Sequence, residues 1–467
     1  MPDIAKLLSM PEGKTLEFKR DLSSLQPILK TLVAFANTAG GVLIIGRDDA
    51  GNILGVQDVF KAEEKIANTI ADSIYPPLMP EIETISVEGK SLLIVCVPHW
   101  WGPFYLKAKG ETEGVFIRLG STNRVAGHEL LEELKRYRSK TSFDQLPCLN
   151  ADISDLDMDK IKRIFAKMSK EIDENKLISL GILVPHPQNS KKMVCSNGGV
   201  ILFGKDSLRE RYFPNSQVRC ARFLGTDKLE FVDQYDVEGS VLDAMEEVPK
   251  FIRRNTRLSA KIEKIQREDI PEYSLLIIRE ILTNALVHSD YSSSGMSTRV
   301  AIFSNRMEIE SPGLLPFGHT LDDFISGISR IRNKVIARVF RELRIMEEWG
   351  TGYKRIAKVC EEGRYPLPLW EELGEVLRVT LYPYSIHDTS IKTDIDAALS
   401  PRQQDILALF QKKSQLTAKE IHAKLPHDIS ERLLRSDLLE LKKRGLITTV
   451  GKGPNTCWIQ TKETLSI

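Results

Sequence analysis

The chain predicts an α+β multidomain protein, and three observations carry that expectation. Through residues 10–384, short apolar runs of strand character alternate with segments of helical period. From Tyr384 to Leu399 the sequence turns polar and loses its period, so it reads as a linker. Beyond it, residues 400–467 carry the signals of three short helices followed by a hairpin. A length of 467 residues suits about three domains. The expected boundaries are 1–140, 141–384 with its own N-terminal subdomain, a linker at 385–399, and 400–467.

Hydrophobic content of 42% with 28% charged residues is ordinary for a globular protein. The net charge of +1 gives no global sign of a polyanion, so any basic site must be local. No apolar run is long enough for a transmembrane helix, so no membrane partner is expected. The opening Met-Pro-Asp-Ile-Ala-Lys lacks the layout of a secretory leader, which predicts a cytoplasmic protein. Six cysteines lie scattered without C-x-x-C spacing, which points to isolated thiols rather than zinc or a disulfide framework.

Taken in order, a strand at 15–19 precedes a helix from Pro27 to Asn37. Gly40-Gly41 then turns into the buried strand Val42-Leu-Ile-Ile45. Asp48-Asp49-Ala50-Gly51 is a hairpin signal. A helix near 62–74 and strands near 81–97 and 114–119 complete the unit. Lys19, Arg20, Arg47, Arg118 and Arg124 are candidates for a phosphate-binding surface. Gly13-Lys14-Thr15 imitates the end of a phosphate-binding P-loop. Its first glycine is missing, since position 8 is Leu8, and a strand follows where a helix is needed.

The strings Glu12-Gly-Lys-Thr-Leu-Glu17-Phe-Lys19, Ala34-Phe-Ala-Asn-Thr-Ala-Gly-Gly41 and Ile44-Ile-Gly46-x-Asp48-Asp49-x-Gly51, closed by Phe116-Ile-Arg118-Leu-Gly120-Ser121, closely resemble the AlbA-like domain of Schlafen proteins and their prokaryotic relatives. In nuclease members two glutamates and an aspartate hold a divalent metal. The resemblance places Glu12, Glu17 and Asp48 there, as metal-assisted phosphodiester cleavage needs. The same residues also fit local roles, with Glu17 paired to Lys19 or Arg20 and Glu12 capping a turn.

The second section is expected to hold strands at 199–203 and 217–224 and a helix at 239–255. Then comes Arg279-Glu280-Ile-Leu-Thr-Asn284-Ala-Leu-Val-His288, which reads as a helix with Glu280, Asn284 and His288 along one face. Ile277, Ile278, Ile281, Leu282, Ala285 and Leu286 form the opposite, core-facing side. An asparagine oxygen suits Mg²⁺, and a carboxylate one turn before it suits orientation of an attacking water. Strands at 298–304 and 307–311, a glycine-rich segment, a helix near 333–343 and a strand at 376–381 follow.

Downstream lie Ile309-Glu-Ser311-Pro-Gly313-Leu314, Ser329-Arg330-x-Arg332-Asn333 and Glu347-Glu-Trp-Gly350-Thr351-Gly352. This order resembles the C-terminal domain of proteins labelled as transcriptional regulators or RecG-like helicases. That domain is similar to the Bergerat ATP-binding fold of gyrase, Hsp90, MutL and histidine kinases, an α/β sandwich. The resemblance implies ATP and Mg²⁺ as cofactors. Glu280 would activate water and Asn284 would ligate Mg²⁺, with His288 beside them. Ser311 and Gly313 would stand in the first glycine box, and Gly350, Thr351 and Gly352 would hold phosphates in the second. Arg330, Arg332 and Lys354 would add charge. Ser311 stands where the family carries an adenine-reading aspartate, and Leu315 replaces a glycine.

In the tail, a helix starts at Pro401, Thr417 caps a second, and Ser430 caps a third that ends at Gly445. Two strands, 446–450 and 457–460, form a ribbon. This is the pattern of a winged helix-turn-helix. Residues 399–467 hold 12 Lys+Arg and 7 Asp+Glu, a local charge of +5. Arg432, Arg435 and Ser436 on the third helix would face the major groove, and Lys452 on the wing would meet phosphate.

Together the modules resemble prokaryotic regulators in which an AlbA-type domain, a Bergerat-like domain and a winged helix share one chain. The expected function is a nucleotide-responsive transcriptional regulator that binds DNA, with RNA as a second candidate, and forms a homo-oligomer. The alternatives are a Schlafen-type metal-dependent nuclease, in antiphage defence, and an oligomeric scaffold with a degenerate nucleotide site.

Overall fold

A computed structural model describes residues 4–263, 266–328, 330–347, 351–384, 401–412, 415–425, 434, 437–438, 441–442, 447–450 and 457–460. Two compact units divide the chain, Met1–Tyr384 and Ser385–Ile467.

The first unit opens with a four-stranded sheet. In spatial order its strands are Leu16–Lys19, Gly41–Ile45, Lys90–Val97 and Glu81–Val87. The first two pair in parallel, and a parallel pair needs a crossover. The helix Leu25–Asn37 supplies it and buries Ile28, Leu32, Val33 and Phe35 against the sheet. A second helix, Val59–Ser73, is capped by Asp58, whose carboxylate accepts from Lys61 N at 3.1 Å. Asn37 closes this core. Its side chain is fully buried, donates to the carbonyls of Phe104 (2.8 Å) and Phe116 (3.0 Å), and accepts from Phe104 N (2.7 Å).

A six-stranded sheet forms the larger core of this unit. Its spatial order is Phe231–Asp236, Val218–Phe223, Thr298–Ile302, Met307–Pro312, Val376–Leu381 and Leu369–Leu373. Only Val218–Phe223 and Thr298–Ile302 pair in parallel. With period two, Val218, Cys220, Val300, Ile302, Met307 and Ile309 share a core with the helices Val241–Asn255 and Leu275–His288. The two edge strands, Phe231–Asp236 and Leu369–Leu373, carry weak hydrophobic alternation and have no counterpart in the sequence expectations.

One expected strand is a helix. Residues 199–203 lie inside the helix Asn197–Phe203, every residue of which is buried. Ser196 caps it, accepting from Gly199 N at 2.9 Å. A short apolar run looks the same in a buried strand and a fully enclosed helix, because neither leaves a polar face to set the period.

The two parts of the first unit are tied by polar contacts. Lys14 Nζ meets both oxygens of Glu372 at 2.8 and 2.7 Å. Arg332 Nε donates to Glu133 Oε1 at 2.8 Å, and Gly318 N donates to Thr38 O at 2.6 Å. Asp144, fully buried, accepts from the backbone N–H groups of Lys334, Val335 and Ile336, so it caps the helix Lys334–Glu342 from a distant segment.

The second unit holds the helices Pro401–Lys412 and Ala418–Lys424. A three-stranded antiparallel sheet runs in the order Gln415–Thr417, Cys457–Gln460, Ile447–Val450. Thr417 and Glu420 form a reciprocal capping box at the second helix. Ile406, Phe410, Leu416, Ile421, Leu438 and Ile447 are buried together. The third helix expected over 431–444 falls mostly outside the described residues, as do Arg432, Arg435, Ser436 and Lys452. No helix among the described residues is long and apolar enough to cross a membrane.

Candidate functional site

The polar face of the Leu275–His288 helix opens on a cavity of about 150 Å³. Glu280, Asn284 and His288 line it from the helix, Ser311 and Gly313 from the Met307–Pro312 strand and its exit, and Thr351 and Gly352 from the start of the helix Gly352–Gly363. Residues far apart in sequence thus meet around one space. Gly350, expected beside Thr351, lies outside the described residues.

The geometry around Glu280 is tight. Asn284 Nδ2 lies 3.4 Å from Glu280 Oε1, and Arg355 Nη1 lies 3.4 Å from Glu280 Oε2. A side-chain carbon at Gly352 would collide with Glu280 Oε1, so glycine there lets the carboxylate keep this position against the helix start. Asn284 Oδ1 accepts no hydrogen bond among the described residues, which leaves it available as a hard oxygen ligand.

Two imidazoles border the same cavity. His288 Nδ1 and His319 Nε2 are buried without a hydrogen-bond partner. Burial, reinforced by Arg332 and His319, lowers the His288 pKa to about 4, so this ring is neutral at physiological pH. Sequence reading missed His319, which carries no spacing signal, and Arg355, which the first turn of the helix Gly352–Gly363 brings to Glu280. An aromatic trio closes the cavity. Phe324 meets Tyr353 at 5.9 Å and Trp370 at 5.6 Å between ring centroids, and Tyr353 meets Trp370 at 5.4 Å.

The structure does not bring every expected residue here. Arg332 donates to Glu133 Oε1, to His288 O at 2.7 Å and to Leu314 O at 2.8 Å, so its guanidinium is occupied as a brace. Gly313, with φ at +93°, keeps that brace in place, because a side chain there would strike the guanidinium. Arg330 does line the cavity, donating to Phe317 O at 3.2 Å.

In the N-terminal part the expected acidic trio is dispersed among local roles. Glu17 is 6% exposed and forms an ion pair with Arg118 Nη2 at 2.5 Å and another with Lys19. Glu12 Oε1 accepts from Phe18 N at 2.9 Å. Asp48 accepts from Asn52 N at 2.8 Å and Asn52 Nδ2 at 3.0 Å, and these bonds hold its carboxyl below the usual range. Among the described residues no group of three or more His, Cys, Asp or Glu comes together to hold a metal ion.

The expected phosphate surface is also revised at one position. Arg118 is fully buried, donating to Gly13 O, Leu16 O and Asn123 Oδ1 as well as to Glu17, and its guanidinium lies 5.1 Å from the Phe35 ring centroid. It is a core brace and reaches no surface. Lys19 donates to Glu17 and to Phe18 O, and Arg47 stacks 3.8 Å from the Phe18 ring centroid.

Two regions of the chain match known families. Residues 12–127 match the family described as "Schlafen, AlbA_2". Residues 295–381 match the family HATPase_c_4, described as "Putative ATP-dependent DNA helicase recG C-terminal". That segment contains Ser311, Gly313 and Thr351 but starts beyond Glu280, Asn284 and His288. The crystal structure of the DIP2311 protein from Corynebacterium diphtheriae is 18% identical, covering 98% of this chain and 96% of that one, with a TM-score of 0.43. The solution structure of the N-terminal domain of "Putative ATP-dependent DNA Helicase RecG-related Protein" from Nitrosomonas europaea is 31% identical. It covers 27% of this chain and 97% of that one, with a TM-score of 0.23. No curated protein matches the chain. The chain therefore carries a region that matches the Schlafen AlbA_2 family and, further along, one that matches the RecG C-terminal HATPase_c_4 family.

Proposed function

We propose that this protein is a nucleotide-responsive, nucleic-acid-binding regulator of transcription. Its ATP·Mg²⁺ site is the cavity at Glu280 and Asn284, and its DNA contacts come from a winged helix in the second unit. The observation that carries the reading is the meeting of Glu280 and Asn284 with Ser311, Gly313, Thr351 and Gly352 around one space. The match of residues 295–381 to an ATPase-type family, and of residues 12–127 to a Schlafen AlbA_2 family, supports it.

The residues present fit Mg²⁺ and phosphate in kind. Asn284 Oδ1 is an uncommitted hard ligand, and Gly352 leaves room for the Glu280 carboxylate beside it. Bound Mg²⁺ would supply charge neutralisation at the phosphates. Glu280, held by Asn284 and Arg355, is placed to orient a water, and neutral His288 adds no competing cation. Ser311, 5% exposed, presents a hydroxyl where the family places a carboxylate, so base selectivity rests on a single neutral group.

Size limits the present conformation. A cavity of about 150 Å³ is smaller than the roughly 300–1,000 Å³ of typical small-molecule sites. Entry of a nucleotide then calls for a wider cavity, and we assign that opening to Phe324 parting from Tyr353 and Trp370. Binding energy that favours the opened arrangement is then available to shift the rest of the unit. The edge strand Phe231–Asp236, with Phe231 56% and Val232 59% exposed, is the face we assign to homo-oligomer contact, testable by sedimentation of Val232→Lys.

The decisive experiment is calorimetric titration of ATP·Mg²⁺ into the full chain and into Asn284→Ala. Binding by the wild type that is lost in the variant supports the site. Equal heats, or none in either protein, would remove it.

A further inference from the structure

A second and larger cavity, about 520 Å³, lies where the N-terminal part of the first unit meets the six-stranded sheet part. We propose that it binds a nucleobase carrying phosphate, supplied either by a free nucleotide or by the end of a single-stranded nucleic acid. The proposal does not rest on the reading of the Glu280 cavity.

Its cations are the first ground. Arg136, Lys140, Arg330, Lys334 and Arg338 line it, and none forms an ion pair with a carboxylate among the described residues. Their recorded acceptors are neutral. Arg136 donates to Ser292 Oγ at 3.1 Å, Lys334 to Lys140 O at 2.7 Å, Arg338 to Ser179 O at 2.9 Å, and Arg330 to Phe317 O at 3.2 Å. The lining carboxylates are already engaged, Glu133 by Arg332 at 2.8 Å and Asp290 by Ser292 N and Oγ at 3.0 and 2.6 Å. With Glu133 paired to Arg332, these five cations outnumber the remaining lining carboxylate, Asp290, and that excess of positive charge favours a polyanionic ligand.

The aromatic pair is the second ground. Trp101 stacks on Tyr137 with centroids 4.8 Å apart and planes at 22°, yet the indole is 51% exposed. Lys140 Nζ lies 5.6 Å from the indole centroid and the Arg330 guanidinium 5.7 Å from the Tyr137 centroid. Rings interleaved with cations are the elements by which proteins hold single-stranded nucleic acid, base on ring and phosphate on cation. An acidic peptide would use the cations and leave the rings idle. A volume of about 520 Å³ sits inside the roughly 300–1,000 Å³ range of small-molecule sites, enough for a nucleotide unit.

The test uses the full chain, labelled oligothymidylate followed by anisotropy, and ATP followed by calorimetry. The variants are Trp101→Ala and the charge reversals Lys140→Glu and Arg338→Glu, all at exposed side chains, with circular dichroism melting as the folding control. Asn284→Ala separates the two cavities. We expect Trp101→Ala to weaken binding about tenfold, the scale of one lost base–ring stack. Each charge reversal should reduce the salt slope by about 1 or more, and Asn284→Ala, which acts on the first cavity, should leave oligonucleotide binding unchanged. Sensitivity confined to the oligonucleotide supports a strand end as ligand, and sensitivity confined to ATP in the Asn284→Ala background supports a free nucleotide. Binding of neither ligand, affinities unmoved by the three variants, or polyglutamate binding as tightly as the oligonucleotide would overturn the proposal.

Discussion

Replacing Arg118 with alanine should destabilise the N-terminal part far more than an ordinary surface change. The side chain is fully buried, forms a 2.5 Å ion pair with Glu17, and donates to Gly13 O (3.0 Å), Leu16 O (3.3 Å) and Asn123 Oδ1 (3.0 Å). Removing it leaves the buried Glu17 carboxylate with Lys19 alone, whose side chain is 28% exposed. Breaking a buried pair in this way costs about 3–5 kcal/mol, about a fifth or more of a stability that for most domains is about 5–15 kcal/mol. Arg118→Lys should recover only part of the loss, because an ammonium cannot reproduce the forked donors. The assay is native-state amide exchange in the strands Leu16–Lys19 and Gly41–Ile45, which isolates this core from the rest of a multidomain chain. In a double-mutant cycle with Glu17→Gln, the paired change should cost clearly less than the sum of the single changes. A loss below about 1 kcal/mol, the scale of an exposed pair, would refute the structural role given to both residues. Glu17 would then be free to serve elsewhere.

Other consequences follow from the cavity and its neighbours. Gly352→Ala should push Glu280 off its position and weaken nucleotide binding about tenfold with little change in melting temperature, since the clash is local to a carboxylate; unchanged calorimetric affinity would contradict that placement. Phe324→Ala removes the ring that meets Tyr353 and Trp370, so nucleotide association in stopped-flow should accelerate, and a slower rate would show that the trio does not gate entry. His288 and His99 both have pKa values lowered to about 4, chiefly by burial, with Arg332 and Arg330 respectively as the next cause. The unfolded chain, with histidines near 6.5, therefore binds more protons than the folded one between about pH 4 and 6.5. Stability is full above pH 6.5 and falls as pH drops through that window, by up to about 3 kcal/mol per ring. Melting temperature against pH should show this slope, and His99→Gln should flatten it; a flat wild-type profile would show the rings to be more accessible than the structure places them.

Much of this was legible from spacing. Glu280, Asn284 and His288 fall four residues apart, which is enough to put them on one helical face, and the helix Leu275–His288 carries them so. The cap at Thr417, and the strand Val376–Leu381, were readable for the same reason, because caps and alternation are local. The strings quoted between Glu12 and Ser121 and between Ile309 and Gly352 lie inside the matched regions 12–127 and 295–381. Other features were decided by distant contact. The run 199–203 became a helix because Cys148, Ile182 and Val335 belong to the same buried cluster around it, and enclosure on all sides removes the polar face that would reveal a helical period. Arg118 and Arg332 look like any basic residues in sequence, yet one is locked to Glu17 and the other to Glu133, residues 101 and 199 positions away. The cavity that gathers Trp101, Tyr137 and Arg338 exists only because the N-terminal part packs against the larger sheet. Periodicity records which side of an element meets the core, whereas a guanidinium's partner and a cavity's walls depend on which elements the fold sets face to face.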